Sequence, residues 1–231
     1  MISVIIPVYN EEHVIKKTIR HLWQSDQQNL VEEIIVIDGG STDNTITAAK
    51  SEGVHVFLSK KGRAEQMNYG ASLAKGKILY FLHADTLPPA TYTSDIQEAV
   101  KNKFDAGCYR LSFDFEHWFL KANCWFTRFD FNAFRFGDQS LFVKKETFLK
   151  TGGFSEKHIV MEDQHLIVRL KKTNSFTIIP KEVTSSGRKY VTNGIYKTQF
   201  TYYLIYFMYK MGYSQKQLVD TYKRFIQQDK L

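Results

Sequence analysis

The chain opens on an uninterrupted apolar run, residues 2–8 (ISVIIPV), and then changes period. A run of that length without polar alternation is the pattern of a strand covered on both faces. After it, Ile15, Ile19, Leu22 and Trp23 recur at i, i+4, i+7 and i+8. That spacing predicts a helix with one buried face, with Asn10 as N-cap and Glu11 and Glu12 in the first turn, where the helix dipole favours anions. The alternation repeats. Residues 33–38 (EIIVID) read as a second buried strand, and Ser41 or Thr42 as the cap of a helix running to about Ser51. Residues 54–58 read as a third strand, and 77–82 (KILYFL) as a fourth. Between these two, Ala64, Met67, Ala71 and Ala74 mark a narrow helical face able to pack close to a sheet. Strands alternating with helices through short Gly-containing links predict βαβ units and a mostly parallel sheet flanked by helices.

Beyond residue 104 the pattern loosens. Residues 106–113 and 139–144 read as strands, 162–172 as a helix, and 176–179 as a short strand ended by Pro180. The stretch 115–136 is crowded with aromatic residues; it reads as lobe core, while its mixture with Arg128, Asp130, Arg135 and Asp138 would suit a sugar-lined groove. The tail reads as two helices broken at Gly212, the second opened by a capping box of Ser214 with Gln217. Segment 200–209 (FTYYLIYFMY) reads as core, a homodimer face or a peripheral membrane-surface helix. Core or dimer face is favoured, and the Tyr hydroxyls and flanking Lys197 and Lys210 fit an interface of either kind. One α/β domain of 231 residues, with an irregular second lobe and C-terminal helices, is the expected architecture.

Composition narrows the classes. With 43% hydrophobic and 24% charged residues the chain is neither disordered nor fibrous in character. Cys108 and Cys124 make no disulfide scaffold, and the absence of Cys-x-x-Cys excludes a zinc ribbon. The chain starts directly on a strand-like run, and its longest mostly apolar stretch, 200–208, is far short of the ~20 residues of a membrane span. A cytoplasmic protein is expected, with peripheral contact at the inner face of the membrane the alternative that the tail raises. The net charge of +7 is uneven: residues 1–100 hold 9 basic and 12 acidic residues, residues 101–231 hold 22 and 12. A basic second half suits an anionic partner or a solubilising surface, and nothing in it points to specific nucleic-acid binding.

Ligands of open parallel sheets bind beyond the carboxyl ends of the strands. The residues standing there are Pro7-Val8-Tyr9-Asn10-Glu11, Asp38-Gly39-Gly40-Ser41 and His83-Ala84-Asp85. Neither G-x-G-x-x-G after the first strand nor a P-loop is found, which argues against a dinucleotide dehydrogenase or P-loop NTPase. Asp38 is either a turn aspartate or an acceptor for a nucleobase or ribose. Asp85 is a carboxylate suited to a metal–diphosphate site, with His83 on the same face. Arg63 and Lys61 suit phosphate or nucleotide. The pair Glu162-Asp163 is either a dipole complement or the source of a general base.

Together, VIIPVYNE (4–11), VIDGGSTDNT (36–45), GRAEQMNYGA (62–71), LHADT (82–86), FGDQSLFV (136–143), TGGF (151–154) and MEDQHL (161–166) resemble the family 2 inverting glycosyltransferases of the GT-A fold. FGDQ and the tail 209–224 look most like a small stand-alone bacterial subgroup labelled as associated with radical SAM or selenoprotein-related genes. The resemblance implies a nucleotide-binding half (1–104), a donor-sugar and acceptor half (105–190) and a helical tail (191–231). It implies a UDP- or GDP-sugar donor and a hydroxyl acceptor. Pro7, Tyr9, Glu11, Asp38 and Arg63 would line the nucleotide pocket, with Asp85 at the diphosphate. Asp138, Gln139 and Glu162 would face donor sugar or acceptor, and Asp163 would be the base. It also implies a divalent metal, Mn²⁺ or Mg²⁺, held by Asp85 and His83, although His83 replaces the first acid of the family's D-x-D element. The alternatives are a sugar-phosphate nucleotidyltransferase and a non-catalytic nucleotide-sugar binder.

Overall fold

The computed structural model describes residues 1–227. Eight strands form one sheet: β1 (Ile2–Val8), β2 (Val31–Asp38), β3 (His55–Leu58), β4 (Ile78–Phe81), β5 (Thr86–Leu87), β6 (Ala106–Phe113), β7 (Leu141–Lys144) and β8 (Phe176–Ser185). Their order across the sheet is β3-β2-β1-β4-β7-β6-β8-β5. The first four are mutually parallel, as the apolar runs predict; β7 is antiparallel to both neighbours, and β6 and β8 run parallel. The strand order reverses between β1 and β4, so a crevice opens beyond the ends of these two strands.

Helices cover both faces. In chain order they are α1 (Ile15–Ser25), α2 (Thr45–Lys50), α3 (Arg63–Leu73), α4 (Tyr92–Lys101), α5 (Trp118–Phe126), α6 (Lys145–Thr151), α7 (Glu162–Thr173), α8 (Arg188–Asn193), α9 (Ile195–Lys210) and α10 (Gln215–Phe225). One core layer joins Ile15, Ile19 and Leu22 of α1 to the face of β1 carrying Val4 and Ile6; the other joins Ile5 and Ile37 to Ala64, Met67 and Ala71 of α3. Trp23 is 40% exposed and lies off the buried stripe.

Several boundaries move for identifiable reasons. Asn10 does not cap α1, which begins at Ile15. It adopts positive φ, and its Oδ1 accepts the amide of Thr42, stitching the loop after β1 to the loop after β2. Ser41 likewise accepts the Asn10 amide, and α2 starts only at Thr45, whose amide is accepted by Asp43. Pro180 does not end β8: the register with β6 jumps from Tyr109↔Ile179 to Arg110↔Glu182, so the proline sits in a bulge and the strand resumes to Ser185. The aromatic stretch is not core. Leu120 is buried, but Trp118, Trp125, Phe126, Phe129 and Phe131 are exposed. The tail helices and the Ser214–Gln217 capping box form as expected, and the last four residues of the expected tail lie outside the described residues.

The small face of α3 has a measurable consequence. A Cβ at Gly70 would stand 2.5 Å from Ile5 Cγ2 and 3.2 Å from Ile37 Cγ1. On an open helix surface Gly→Ala would be stabilising by about 1 kcal/mol. Here overpacking reverses the sign, so Gly70→Ala should destabilise by about 1–3 kcal/mol, read as a lowered midpoint in urea unfolding.

Candidate functional site

The crevice at the β1/β4 switch opens into a cavity of about 290 Å³. Its first wall is the chain leaving β1: Pro7, Tyr9 and Glu11 line it, with Lys61 Nζ 4.1 Å from the centre of the Tyr9 ring. Gln66 of α3 braces this wall from below, its Nε2 donating to the carbonyls of Val8 and Ile37 at 2.9 and 2.7 Å. The residues after β4 supply His83 and Asp85, the turn before β7 supplies Gly137 and Asp138, and the start of α7 supplies Glu162 and Asp163.

Charges in the cleft are paired in three groups. Arg188, the first residue of α8, reaches back across the sheet end to Glu11 Oε2 and to Asp85 Oδ2, each at 2.8 Å. Arg63, the first residue of α3, meets Glu162 Oε1 at 3.2 Å and Asp163 Oδ2 at 3.5 Å. His83 Nδ1 lies 2.9 Å from Asp138 Oδ1, and the other ring nitrogen contacts the Arg63 guanidinium. Thus Arg63, His83, Asp138 and the Glu162–Asp163 pair form one continuous network.

Burial and the adjacent Glu162 carboxylate push the Asp163 carboxyl up to about 6, against the opposing pull of Arg63 and His83. Asp138 moves the other way: burial would raise it, yet the His83 hydrogen bond and positive charge hold it well below the usual carboxylate range. Two carboxylates beside one imidazole are therefore driven apart, one toward a proton-accepting role near neutrality and the other toward permanent charge. Gly137 makes room for the first. A Cβ there would overlap the Asp163 carboxylate and stand 3.0 Å from His83 Nε2.

Of the residues singled out from the sequence, Pro7, Tyr9, Glu11, Arg63, His83, Asp85, Asp138, Glu162 and Asp163 line one cavity. Two do not. Gln139 is fully buried and faces away: its Oε1 accepts the Phe136 amide and its Nε2 donates to the Tyr109 carbonyl, so it holds the turn that presents Asp138. Asp38 is fully buried beneath the cleft rather than lining it. Its Oδ2 accepts the amides of Gly40 and Ser41 at 2.9 Å, and its Oδ1 has no hydrogen-bond partner among the described residues. Conversely, Arg188 and Lys189 line the cavity without having been foreseen. Their signal was the same as for the other strand ends: Ser185-Ser186-Gly187 is a hydroxyl- and glycine-containing turn, and two bases follow it directly after β8. Among the described residues no three His, Cys, Asp or Glu side chains converge to hold a metal ion by themselves.

The sequence and the fold both have known relatives. The sequence model of glycosyl transferase family 2 matches residues 3–155. Glycosyltransferase GlyG of Streptococcus pneumoniae is 29% identical over 110 residues, covering 45% of this chain and 36% of that protein. An uncharacterized glycosyltransferase of Haemophilus influenzae is 27% identical over 190 residues, covering 77% and 64%. The chain thus spans between about a third and two thirds of the length of these relatives. The mannosyltransferase PcManGT of Pyrobaculum calidifontis, solved with GDP-Man and Mn²⁺, superposes with a TM-score of 0.67 at 19% identity, covering 96% of this chain and 69% of that one. TarS of Staphylococcus aureus gives 0.67 at 14%, covering 97% and 42%. The likeness in fold is that of a GT-A-like α/β domain, its central sheet flanked by helices.

The charge arrangement is open to direct titration. An NMR titration following the Asp163 carboxyl carbon should show a midpoint of about 6. Because Glu162 contributes negative charge that disfavours ionisation, Glu162→Gln should move that midpoint to lower pH. A midpoint that stays put or rises would contradict the coupling.

Proposed function

The chain belongs to glycosyl transferase family 2, and from that premise we propose that it transfers a sugar from a nucleoside-diphosphate sugar to an acceptor hydroxyl with inversion, Asp163 being the general base. The observation that carries this reading is the presence, within one cavity, of two bases (Arg188, Lys189) and a carboxylate raised toward neutrality at the start of α7. A diphosphate needs the first and a hydroxyl nucleophile the second. The family supports this reading; the narrower radical SAM-associated subgroup gains no support from the relatives.

In this reading the nucleoside lies along Pro7 and Tyr9, whose ring offers a stacking face, with the unpartnered Asp38 oxygen beneath the same loop. The diphosphate competes with Glu11 and Asp85 for Arg188, which offers a planar fork matched to phosphate oxygens. Arg63 leaves Asp163 for the donor, which uncovers the carboxylate as the acceptor arrives. The acceptor hydroxyl attacks the anomeric carbon from the face opposite the diphosphate; its proton passes to Asp163, and the C–O bond electrons leave with the nucleoside diphosphate. Asp138 holds His83 by its Nδ1 and so fixes the ring beside the departing group.

The solved mannosyltransferase was crystallised with Mn²⁺. In this chain Asp85 and His83, one carboxylate and one imidazole, suit a Mn²⁺ or Mg²⁺ ion only as part of a set completed by the donor's phosphate oxygens. Such an ion would add electrostatic stabilisation of the charge developing on the diphosphate.

Thermal unfolding in the presence of UDP- and GDP-sugars, with and without Mn²⁺, should show a raised Tm for the accepted donor. Donor turnover, with hydrolysis as the minimal reaction, should fall by about 10²–10⁴ in Asp163→Asn. The Tm of that variant should be unchanged or higher. A carboxyl whose folded value lies above its unfolded one loses stability as pH rises through about 6, and Asn removes that cost. The acid limb of kcat/KM should lie near pH 6 and move down in Glu162→Gln. Gly137→Ala, which displaces the carboxylate without removing it, should also depress kcat while leaving donor-induced stabilisation in place. Wild-type turnover in Asp163→Asn would eliminate it as base. Donor affinity without turnover across acceptors would make the protein a binder, and pyrophosphate release from a nucleoside triphosphate would make it a nucleotidyltransferase.

A further inference from the structure

Helix α9 carries large apolar residues on its outer side. Thr198, Gln199 and Thr201 are buried against the body of the protein together with Ile205, while Phe200 and Phe207 are 59% and 61% exposed. Tyr196, Phe200, Tyr203 and Phe207 follow i, i+4, i+7 and i+11, so they share the outward side. A helix of a folded domain ordinarily does the reverse, and an exposed contiguous apolar face marks a surface that is covered in use.

The face does not end with α9. Phe119 of α5 packs against Tyr196 and Phe200 at ring-centroid distances of 5.0 and 6.2 Å, and Tyr203 donates to Asn123 Oδ1. Through these contacts α5 extends the surface with Trp118, 68% exposed, and Trp125 one heptad later. Tyr203 and Asn123 also line the cavity described above, so the apolar surface runs up to the mouth of the cleft.

Charge selects the occupant. From residue 190 to residue 219 the chain holds three lysines, Lys197, Lys210 and Lys216, and no Asp or Glu. Lys197 and Lys210 flank the exposed stripe of α9, and neither has an ion pair with an acid among the described residues. A two-fold dimer through this face would set like-charged lysines of the two copies near one another, an arrangement that costs energy. A bilayer with anionic headgroups takes both features at once. Phenylalanines enter the acyl boundary, Trp and Tyr rings sit at headgroup level with their polar ends wet, and lysines meet lipid phosphates. No helix among the described residues is long and apolar enough to cross a membrane, so the contact is a lying-on one.

We propose that the joint α5–α9 surface docks this protein on an anionic lipid bilayer, with the cleft mouth at the lipid boundary. Docking stands on the surface alone. The corollary, that the acceptor hydroxyl belongs to a membrane-borne molecule, rests on the transferase reading above.

Flotation of the full chain with phosphatidylcholine vesicles, and with vesicles containing phosphatidylglycerol, tests docking without any sugar donor, so it succeeds or fails independently of that reading. Wild type should float with the anionic vesicles, weakly with the zwitterionic ones, and less as salt rises. Lys197→Gln with Lys210→Gln should weaken partitioning by about 30-fold, following the contribution of each basic residue near a charged surface. Phe200→Ser with Phe207→Ser should abolish it with Tm unchanged or raised, since both side chains are exposed. Wild type that stays in the unbound fraction would overturn the proposal, as would either double variant floating like wild type. Sedimentation showing a dimer that Phe200→Ser with Phe207→Ser dissolves, without vesicle binding, would assign the surface to a second copy instead.

Discussion

Setting like charges side by side in a partly dry cleft is costly, and this protein does so at two points. Glu162 stands beside Asp163, and Glu11 shares a partner with Asp85. Each group is held by a single guanidinium, Arg63 for the first and Arg188 for the second. Removing either arginine would leave buried carboxylates uncompensated, the expensive half of breaking a buried ion pair. In the reaction proposed above the same two cations would engage the donor's anionic groups, and the carboxylates would change partners as it enters.

Much of the first half was legible because parallel strands buried on both faces have to be apolar throughout. Residues 2–8, 33–38 and 77–82 could be little else. Helix starts were less legible. Asn10, Ser41 and Thr42 have the chemistry of caps, but their polar groups are spent on one another across the two loops, a tertiary use that local pattern does not distinguish from capping. The strand through Pro180 was cut short for a similar reason: the bulge that absorbs the proline exists only because β6 runs alongside.

The site divides in the same way. Residues just beyond the β1 and β4 ends were legible from the general location of crevices in such sheets, and nine of the named side chains do meet in one cavity. Gln139 was not, because a polar residue leading into a strand looks the same whether it faces a ligand or ties up backbone groups. Arg188 and Lys189 escaped because ending β8 at Pro180 hid the strand end they follow. The aromatic segment was misjudged because hydrophobic content alone does not say which side is dry; α5 buries Leu120 and turns its tryptophans outward.

The link from Arg188 to Glu11 and Asp85 also bears on how the molecule comes into being on the ribosome. The partners of that contact lie 177 positions apart, and β5 finds β8 only across a separation of about a hundred. Strands β1 to β4 and their helices have local partners and are free to condense while synthesis continues. The second wall of the cleft has to wait for the segment around residue 188 to emerge. A nascent chain would therefore carry a shaped first part with bare acids at its rim, and the pocket would close only once the segment around residue 188 has left the ribosome.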